Sequence, residues 1–154
     1  MPFVASWPRA IPSGIVSSEI IELTDLLATF AAIVGADLPP GAGPDSYDIL
    51  PALQCKLLER PLREAVVDHS LDGTFSIRQG PWELCLGLGS GGFTRPQSLP
   101  QNPGDPAGQL YNLDDDRAEQ HNLYAEHPAV VERLTAILEV AKAGIQSAVA
   151  FRTA

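Results

Sequence analysis

The sequence predicts an α+β fold in which a small antiparallel sheet of three to four strands is packed by a C-terminal amphipathic helix. Three observations lead to this prediction. Short segments of alternating or apolar residues recur between positions 63 and 113, and the pair Asp72 and Gly73 marks a tight hairpin turn between two of them. A long segment with apolar residues at helical spacing follows near the end of the chain.

Four short segments carry the strand pattern. Side chains alternate between the two faces of a strand, so Trp82, Leu84 and Leu86 are expected on one face, with Glu83 and Cys85 on the other. Cys85 is therefore expected to be a buried free thiol. The segments, in chain order, are REAVVDHS, GTFSIRQG, PWELCLGL and QLYNL.

The last predicted element is a helix from about Pro128 to about Ala148. Proline fits the first position of a helix, where its missing N–H costs nothing. One apolar stripe recurs at helical spacing and is expected to cover the sheet. Its members are Val130, Val131, Leu134, Ile137, Leu138, Ala141 and Ile145.

The first sixty residues do not extend the sheet pattern. The segment from Phe3 to Trp7 predicts a buried strand, which needs a neighbouring strand for pairing. TDLLATFAAIVG predicts a helix with Thr24 as its N-cap and Gly35 after its last turn. This helix is apolar nearly all round and is expected to be buried on several sides. One further helical turn is expected from Asp48 to Leu53.

Composition excludes several classes of function. The 154 residues are 45% hydrophobic and 19% charged, which indicates a globular chain, and the formal net charge is −9. No basic run is present, which argues against binding to nucleic acid or to an anionic membrane surface. No apolar stretch approaches the ~20 residues of a membrane span. The first residues lack the pattern of a signal peptide, so any export signal is expected outside this chain.

Two motifs imitate catalytic signatures without meeting their requirements. GLGSGG matches the spacing of a dinucleotide-binding loop, but FTRP follows it where a helix is required. These glycines are expected to let an exposed loop pass close to another part of the chain. Asp68, His69 and Ser70 contain the residue types of a hydrolytic triad, but neighbouring side chains on a strand point to opposite faces. His69 is then either a structural histidine or a residue that lines a pocket.

The remaining polar residues indicate no metal site. Asp114, Asp115 and Asp116 lack the spacing of a calcium loop and predict a solvated acidic turn. His121 and His127 lack helical zinc spacing, and the two cysteines lack metal-ligand spacing. Arg78 and Arg95 are candidates for contact with an anion, and a solvated surface position is the favoured interpretation of Arg95.

Taken together and in order, these segments resemble the C-terminal portion of an arylsulfatase-type sulfatase of the type I, formylglycine-dependent family. The resemblance covers nearly the whole chain. It departs at Pro81, Glu83 and Arg117, and the first two weaken any prediction of anion binding at that hairpin. The matching segments are PFVASWPRAIPSG, LTDLLATFAAIVGADLP, GPDSYDILPAL, FSIRQGPWEL and QLYNLDDDRAEQHNL.

The resemblance implies two parts. Residues 1–60 would be the end of an alkaline-phosphatase-like catalytic domain, whose large sheet would receive the segment from Phe3 to Trp7. Residues 61–154 would be the C-terminal subdomain. The complete enzyme would hydrolyse sulfate esters with calcium and a formylglycine. This chain lacks the Cys/Ser-x-Pro/Ala-x-Arg motif for that residue, so no catalytic residue or metal ligand is assigned here and the chain alone is expected to be inactive.

The resemblance also implies a position for part of a substrate-pocket rim and a partner. The expected partner is the missing catalytic domain, or a second copy bound through the segment from Phe3 to Trp7 and the following helix. The family is often periplasmic or secreted. The alternative is a stand-alone, non-catalytic binding or interaction module derived from a sulfatase. The expected rim residues are His69, Ser70, Gly89, Gly91, Gly92 and Arg95.

Overall fold

The computed structural model describes residues 3–56 and 58–152, with side chains described as far as residue 144. The chain divides into two compact units, Met1–Glu64 and Ala65–Ala154. Within the described residues, no helix combines the length and the apolar character that crossing a membrane requires.

The second unit contains the predicted sheet. All four predicted segments form strands, and each strand pairs antiparallel with the next in the order β1-β2-β3-β4. The register places Val67, Ile77, Leu84 and Leu110 opposite one another across the sheet. The strands are β1 (Val66–His69), β2 (Phe75–Gln79), β3 (Trp82–Cys85) and β4 (Gln109–Asn112).

The core of this unit lies between the sheet and its C-terminal helix, α3 (Pro128–Arg152). Trp82 and Leu86 pack against this core, as the alternation in β3 predicts, and Leu84 is part of it. The predicted apolar stripe supplies the helical side of the core, although Ile145 lies outside the described side chains. The fully buried members are Ile77, Leu84, Leu110, Leu134 and Leu138.

The first unit contains a 3-10 turn (Leu23–Asp25), α1 (Leu26–Val34) and the short α2 (Leu50–Leu53). Gly35 follows α1 with φ 68°, a left-handed conformation that glycine adopts without strain, as predicted. The prediction that Thr24 is the N-cap is wrong, because Thr24 lies inside the 3-10 turn. The carboxylate of Asp25 accepts a hydrogen bond from the backbone N–H of Glu22 (2.7 Å) and thereby satisfies a donor at this helix start.

Two further expectations for the first unit are not met within this chain. The segment from Phe3 to Trp7 is exposed and forms no strand, because none of the described residues supplies a partner strand for its backbone groups. The helix α1 is not buried on several sides. Phe30 is 58% exposed and Val34 is 74% exposed, so one apolar face of α1 contacts solvent.

Candidate functional site

The residues expected at a pocket rim come from two connections at one end of the sheet. In an antiparallel meander the β1–β2 turn and the β3–β4 connection leave the sheet at the same end. The structure brings Ser70 of the turn against Gly91 of the connection, where a Cβ atom added to Gly91 would lie 3.2 Å from the Ser70 Cβ. The absence of a side chain at position 91 allows this approach.

Ser70 organises the β1–β2 turn. Its backbone N–H donates to the carbonyl of Thr74 (2.8 Å), and its Oγ accepts from the backbone N–H of Thr74 (3.0 Å). The same hydroxyl donates to the carboxylate of Asp72, and this hydrogen bond lowers the pKa of Asp72. The hydroxyl of Ser70 is therefore engaged in turn structure rather than paired with a general base.

His69 is exposed and is held by two local contacts. Its Nδ1 lies 2.9 Å from the carbonyl oxygen of Ser70, and its ring stands edge-on to that of Phe75 with the centroids 6.1 Å apart. Asp68 lies opposite Ser76 in the register, whereas His69 lies opposite Phe75, so adjacent residues project to opposite faces. The two local contacts orient the ring of His69 at the exposed end of β1.

The glycine-rich connection folds back on itself into a hydrogen-bonded loop. The N–H of Gly91 donates to Gln97 O (2.9 Å), and the N–H of Leu99 donates to Leu88 O (2.9 Å). Gly89 has φ 106°, and a Cβ atom there would lie 2.7 Å from Gln97 O. Residue 89 must therefore be glycine for the outgoing chain to pass this close to the returning chain.

The tip of this loop is open to solvent. Arg95 is exposed and lines a shallow surface depression together with Pro96, Gln97 and Ser98. The backbone N–H of Gly92 lies 3.3 Å from the Ser90 Oγ, to which it donates. The loop tip thus presents one exposed arginine, whose guanidinium is suited to an anionic ligand.

Sequence analysis missed Gln109 and Tyr111, which support this loop from β4. The side-chain amide Nε2 of Gln109 donates to Gly87 O and to Gly89 O, both at 2.9 Å. The hydroxyl of Tyr111 donates to Gln109 Oε1 at 2.9 Å. The only signal for them in the sequence is the Q-x-Y spacing in QLYNL, which places two polar side chains on one face of a strand.

Glu83 and Cys85 lie on the sheet face that carries Tyr111, because Glu83 is paired with Tyr111 and Cys85 with Gln109. Burial raises the pKa of Cys85 to about 12, and Glu83 contributes further to this increase. Burial also raises the pKa of Glu83, with a smaller contribution from Glu119. A protonated thiol is uncharged, and a raised pKa favours the neutral form of Glu83, so neither group supplies a positive charge for a sulfate. The prediction that Glu83 weakens anion binding at this hairpin stays a prediction.

The two thiols are expected to differ in reactivity. Cys85 was expected to be buried, but it is only partly buried. It should still react slowly with a disulfide reagent at pH 8, because its pKa of about 12 keeps the thiolate scarce. Cys55 is exposed and should react rapidly. Mass spectrometry of the chain after a short exposure to the reagent should find one label, at Cys55, and a second only after denaturation. Rapid labelling of both Cys55 and Cys85 in the native chain would contradict the low reactivity expected for Cys85.

The acidic connector after β4 serves turn structure, as predicted. The carboxylate of Asp116 accepts from the backbone N–H groups of Gln120 (2.7 Å) and His121 (2.8 Å), and the second of these hydrogen bonds is the main cause of its lowered pKa. Asp115 accepts from the side-chain amide of Asn112 (2.7 Å). Within residues 3–56 and 58–152, no group of three potential metal ligands comes together.

The first unit contains a buried polar cluster that sequence analysis also missed. Asp25 is fully buried and accepts hydrogen bonds from Arg63 and from the backbone N–H of Tyr47 (3.0 Å). Arg63 also forms an ion pair with Glu22 (2.7 Å), and its guanidinium lies 4.5 Å from the centroid of the Tyr47 ring. Thr29 accepts from the N–H of Ile49 (3.1 Å). These contacts join α1 to the segments that follow it.

Comparisons with known proteins place these features in a family. The chain is 29% identical to an N-acetylgalactosamine-6-O-sulfatase of Bacteroides thetaiotaomicron over 150 residues, covering 92% of this chain and 27% of the relative. It is 27% identical to an ulvan-active sulfatase of Formosa agariphila over 157 residues, covering 87% of this chain and 31% of the relative. No family model matches the sequence.

The chain is also similar to a solved sulfatase structure. A sulfatase structure from work on glycosaminoglycan metabolism by Bacteroides thetaiotaomicron superposes with a TM-score of 0.59 and 32% sequence identity. The superposition covers 77% of this chain and 24% of the solved chain.

The four-stranded antiparallel sheet, its helix and these relatives define a segment of a sulfatase. More specifically, the chain belongs to the arylsulfatase-type sulfatases and corresponds to their C-terminal portion. It spans about 27–31% of the length of the two curated relatives. The resemblance stated from the sequence motifs is thereby confirmed.

Proposed function

We propose that this chain is the C-terminal part of an enzyme that hydrolyses sulfate esters of carbohydrates, and that it completes a catalytic domain outside these residues. The observation that carries the proposal is the similarity to sulfatases along 87–92% of the chain. These relatives are an N-acetylgalactosamine-6-O-sulfatase and an ulvan-active sulfatase, which favours a sulfated glycan as the substrate class.

The reaction itself is assigned to the catalytic domain. In such an enzyme a formylglycine and a calcium ion supply the nucleophile and the charge neutralisation at the sulfate. Neither cysteine of this chain lies in the motif that yields formylglycine. The chain's own contribution is therefore structural support, together with part of the substrate opening.

The proposed contact with the catalytic domain is the apolar face of the first unit. Four apolar side chains recur at helical spacing on the 3-10 turn and α1, and each is between 48% and 74% exposed. Apolar side chains grouped on one helix face are usually covered by a partner. A relative more than three times as long as this chain offers such a partner within the same protein. The residues are Leu23, Leu27, Phe30 and Val34.

The proposed rim is the sheet end where the turn at Ser70 meets the glycine-rich loop. His69 and Arg95 are exposed there, and Arg95 supplies a cation suited to an anionic substrate. The glycines allow close packing, so that the loop keeps a defined shape next to the turn. Gly89 and Gly91 thus contribute to the rim through backbone conformation, Gly92 through its N–H, which donates to Ser90 Oγ, and His69 and Arg95 through their side chains.

Complementation tests this proposal. The chain is mixed with a sulfatase catalytic domain that ends just before its own Trp-Pro strand, and sulfate release from N-acetylgalactosamine 6-sulfate is measured with calcium present. Activity is expected only in the mixture, and sedimentation should show a one-to-one complex. Phe30→Asp should reduce activity at least about tenfold, because it places a charge in the apolar contact.

A matched control and two contrary outcomes complete this experiment. Val140→Asp introduces the same charge at an exposed position of α3 and should leave activity unchanged. Activity of the chain alone would contradict the proposal, because it requires a nucleophile within these residues. Self-association in place of the mixed complex, with glycan binding and no hydrolysis, would instead support the stand-alone binding module.

A further inference from the structure

Gln109 connects β4 to the base of the glycine-rich loop by side-chain hydrogen bonds. The two N–H groups of its amide reach two carbonyls, Gly87 O and Gly89 O, each 2.9 Å from Nε2. These residues are 22 and 20 positions earlier in the chain. One planar amide group therefore holds the outgoing end of the loop against the strand that receives its returning end.

We propose that Gln109 is the positioning residue of the glycine-rich loop, residues 87–99, and that the hydroxyl of Tyr111 sets the orientation of its amide. The role of Gln109 in shaping a substrate opening rests on the proposed function. Its role as a clamp on the loop rests on the hydrogen bonds alone. The loop would be poised for its ligand before binding, which lowers the entropic cost of binding.

The hydrogen-bond chemistry explains why glutamine is suited to this position. A primary amide has two N–H donors on one nitrogen and an acceptor oxygen on the other side of the same plane. Tyr111 donates to the oxygen of Gln109, which leaves the nitrogen to face the two carbonyls. The raised pKa of Tyr111, caused chiefly by burial, keeps its hydroxyl protonated and available as this donor.

The same clamp links the two halves of the rim. A Cβ atom on Gly87 would lie 2.9 Å from Cγ2 of Thr74, so the base of the loop is packed directly against the β1–β2 turn. Thr74 is in turn hydrogen-bonded to Ser70. The amide of Gln109 thus holds the loop base beside the turn that carries His69 and Ser70.

Amide hydrogen exchange on the 154-residue chain tests the clamp. Gln109→Glu replaces the two donors by a carboxylate that faces two carbonyl oxygens, while it keeps an acceptor for Tyr111. Exchange at Gly91 and Leu99, whose N–H groups close the loop, should be at least about tenfold faster. Exchange at Leu113, which donates to Pro81 O at the other end of the sheet, should change less than about twofold.

Acid should partly rescue this variant. A protonated glutamate has one O–H donor, so protection at Gly91 and Leu99, corrected for the intrinsic exchange rate, should rise as the pH falls below about 4. Tyr111→Phe is the second variant and should give a smaller acceleration at the same two amides. Gln101→Glu makes the same charge change at an exposed position beyond the loop and is the matched control, with no expected effect.

Two results would overturn the inference. One is unchanged exchange at Gly91 and Leu99 in both Gln109→Glu and Tyr111→Phe. The other is equal acceleration at Leu113, which would indicate general loss of stability. In the complementation mixture, Gln109→Glu should raise KM more than it lowers kcat. Accelerated exchange with unchanged KM would keep the clamp and reject the rim proposal, so the two failures are distinguishable.

Discussion

Asp25→Ala is expected to destabilise the first unit by about 3–5 kcal/mol, the cost of removing one partner from a buried ion pair. The carboxylate of Asp25 is fully buried and accepts from Arg63 and from the backbone N–H groups of Glu22 and Tyr47. Alanine would leave both N–H groups without this acceptor and leave the buried guanidinium with Glu22 as its remaining carboxylate partner. Unpaired buried groups of this kind are costly because water cannot reach them.

Native-state hydrogen exchange at Ile49 is the measurement for this prediction. The Ile49 residue is fully buried and its N–H donates to Thr29 Oγ1, so its exchange reports opening of the first unit. Asp25→Asn keeps an acceptor oxygen and should cost less than alanine. Asp37→Ala removes an exposed carboxylate of the same unit and should change stability by less than about 0.5 kcal/mol. Equal effects of Asp25→Ala and Asp37→Ala would contradict a structural role for the buried cluster.

Leu84→Ala is expected to destabilise the second unit by about 2–5 kcal/mol. Leu84 lies in the middle of the sheet, opposite Ile77 on one side and Leu110 on the other, and is fully buried under Leu134 and Leu138 of α3. Alanine would remove two methyl groups and the methine carbon that carries them, and would leave a cavity that the flanking strands cannot close without breaking their register.

Urea unfolding followed by fluorescence tests this prediction. A Trp7→Phe background leaves Trp82 as the only tryptophan, so the signal comes from the second unit. Leu84→Met largely conserves volume and should cost less than about 1.5 kcal/mol. Leu71→Ala is the surface control, because Leu71 is 92% exposed, and should lie within about 0.5 kcal/mol of the parent. A Leu84→Ala variant as stable as Leu71→Ala would show that the sheet and α3 do not share this core.

Local patterns predicted the elements of the second unit well. The alternation in GTFSIRQG and PWELCLGL was sufficient to place β2 and β3. The turn pair Asp72 and Gly73, which follows REAVVDHS, was sufficient to place β1 before β2. The apolar stripe from Val130 was sufficient to place α3 over the sheet. These predictions succeed because strand and helix periodicity depend on neighbours within a few residues.

The first unit shows where local patterns were insufficient. Apolar residues from Phe3 to Trp7 favour a strand, but pairing depends on another chain segment, and none of the described residues supplies it. Thr24 has the residue type of an N-cap, but it lies inside the 3-10 turn, and the carboxylate of Asp25 accepts from the backbone N–H of Glu22 and from Arg63. The competing contact comes from a residue 38 positions away and leaves no local signal.

The sequence by itself determined the family, the four strands, the covering helix and the segments from which the candidate rim is built. Only the tertiary structure decided that Gln109 reaches Gly87 and Gly89, and that Ser70 meets Gly91. The physical reason is that side-chain hydrogen bonds across a sheet end depend on register and on the path of a long loop. Neither is specified by the residue types of any single short segment.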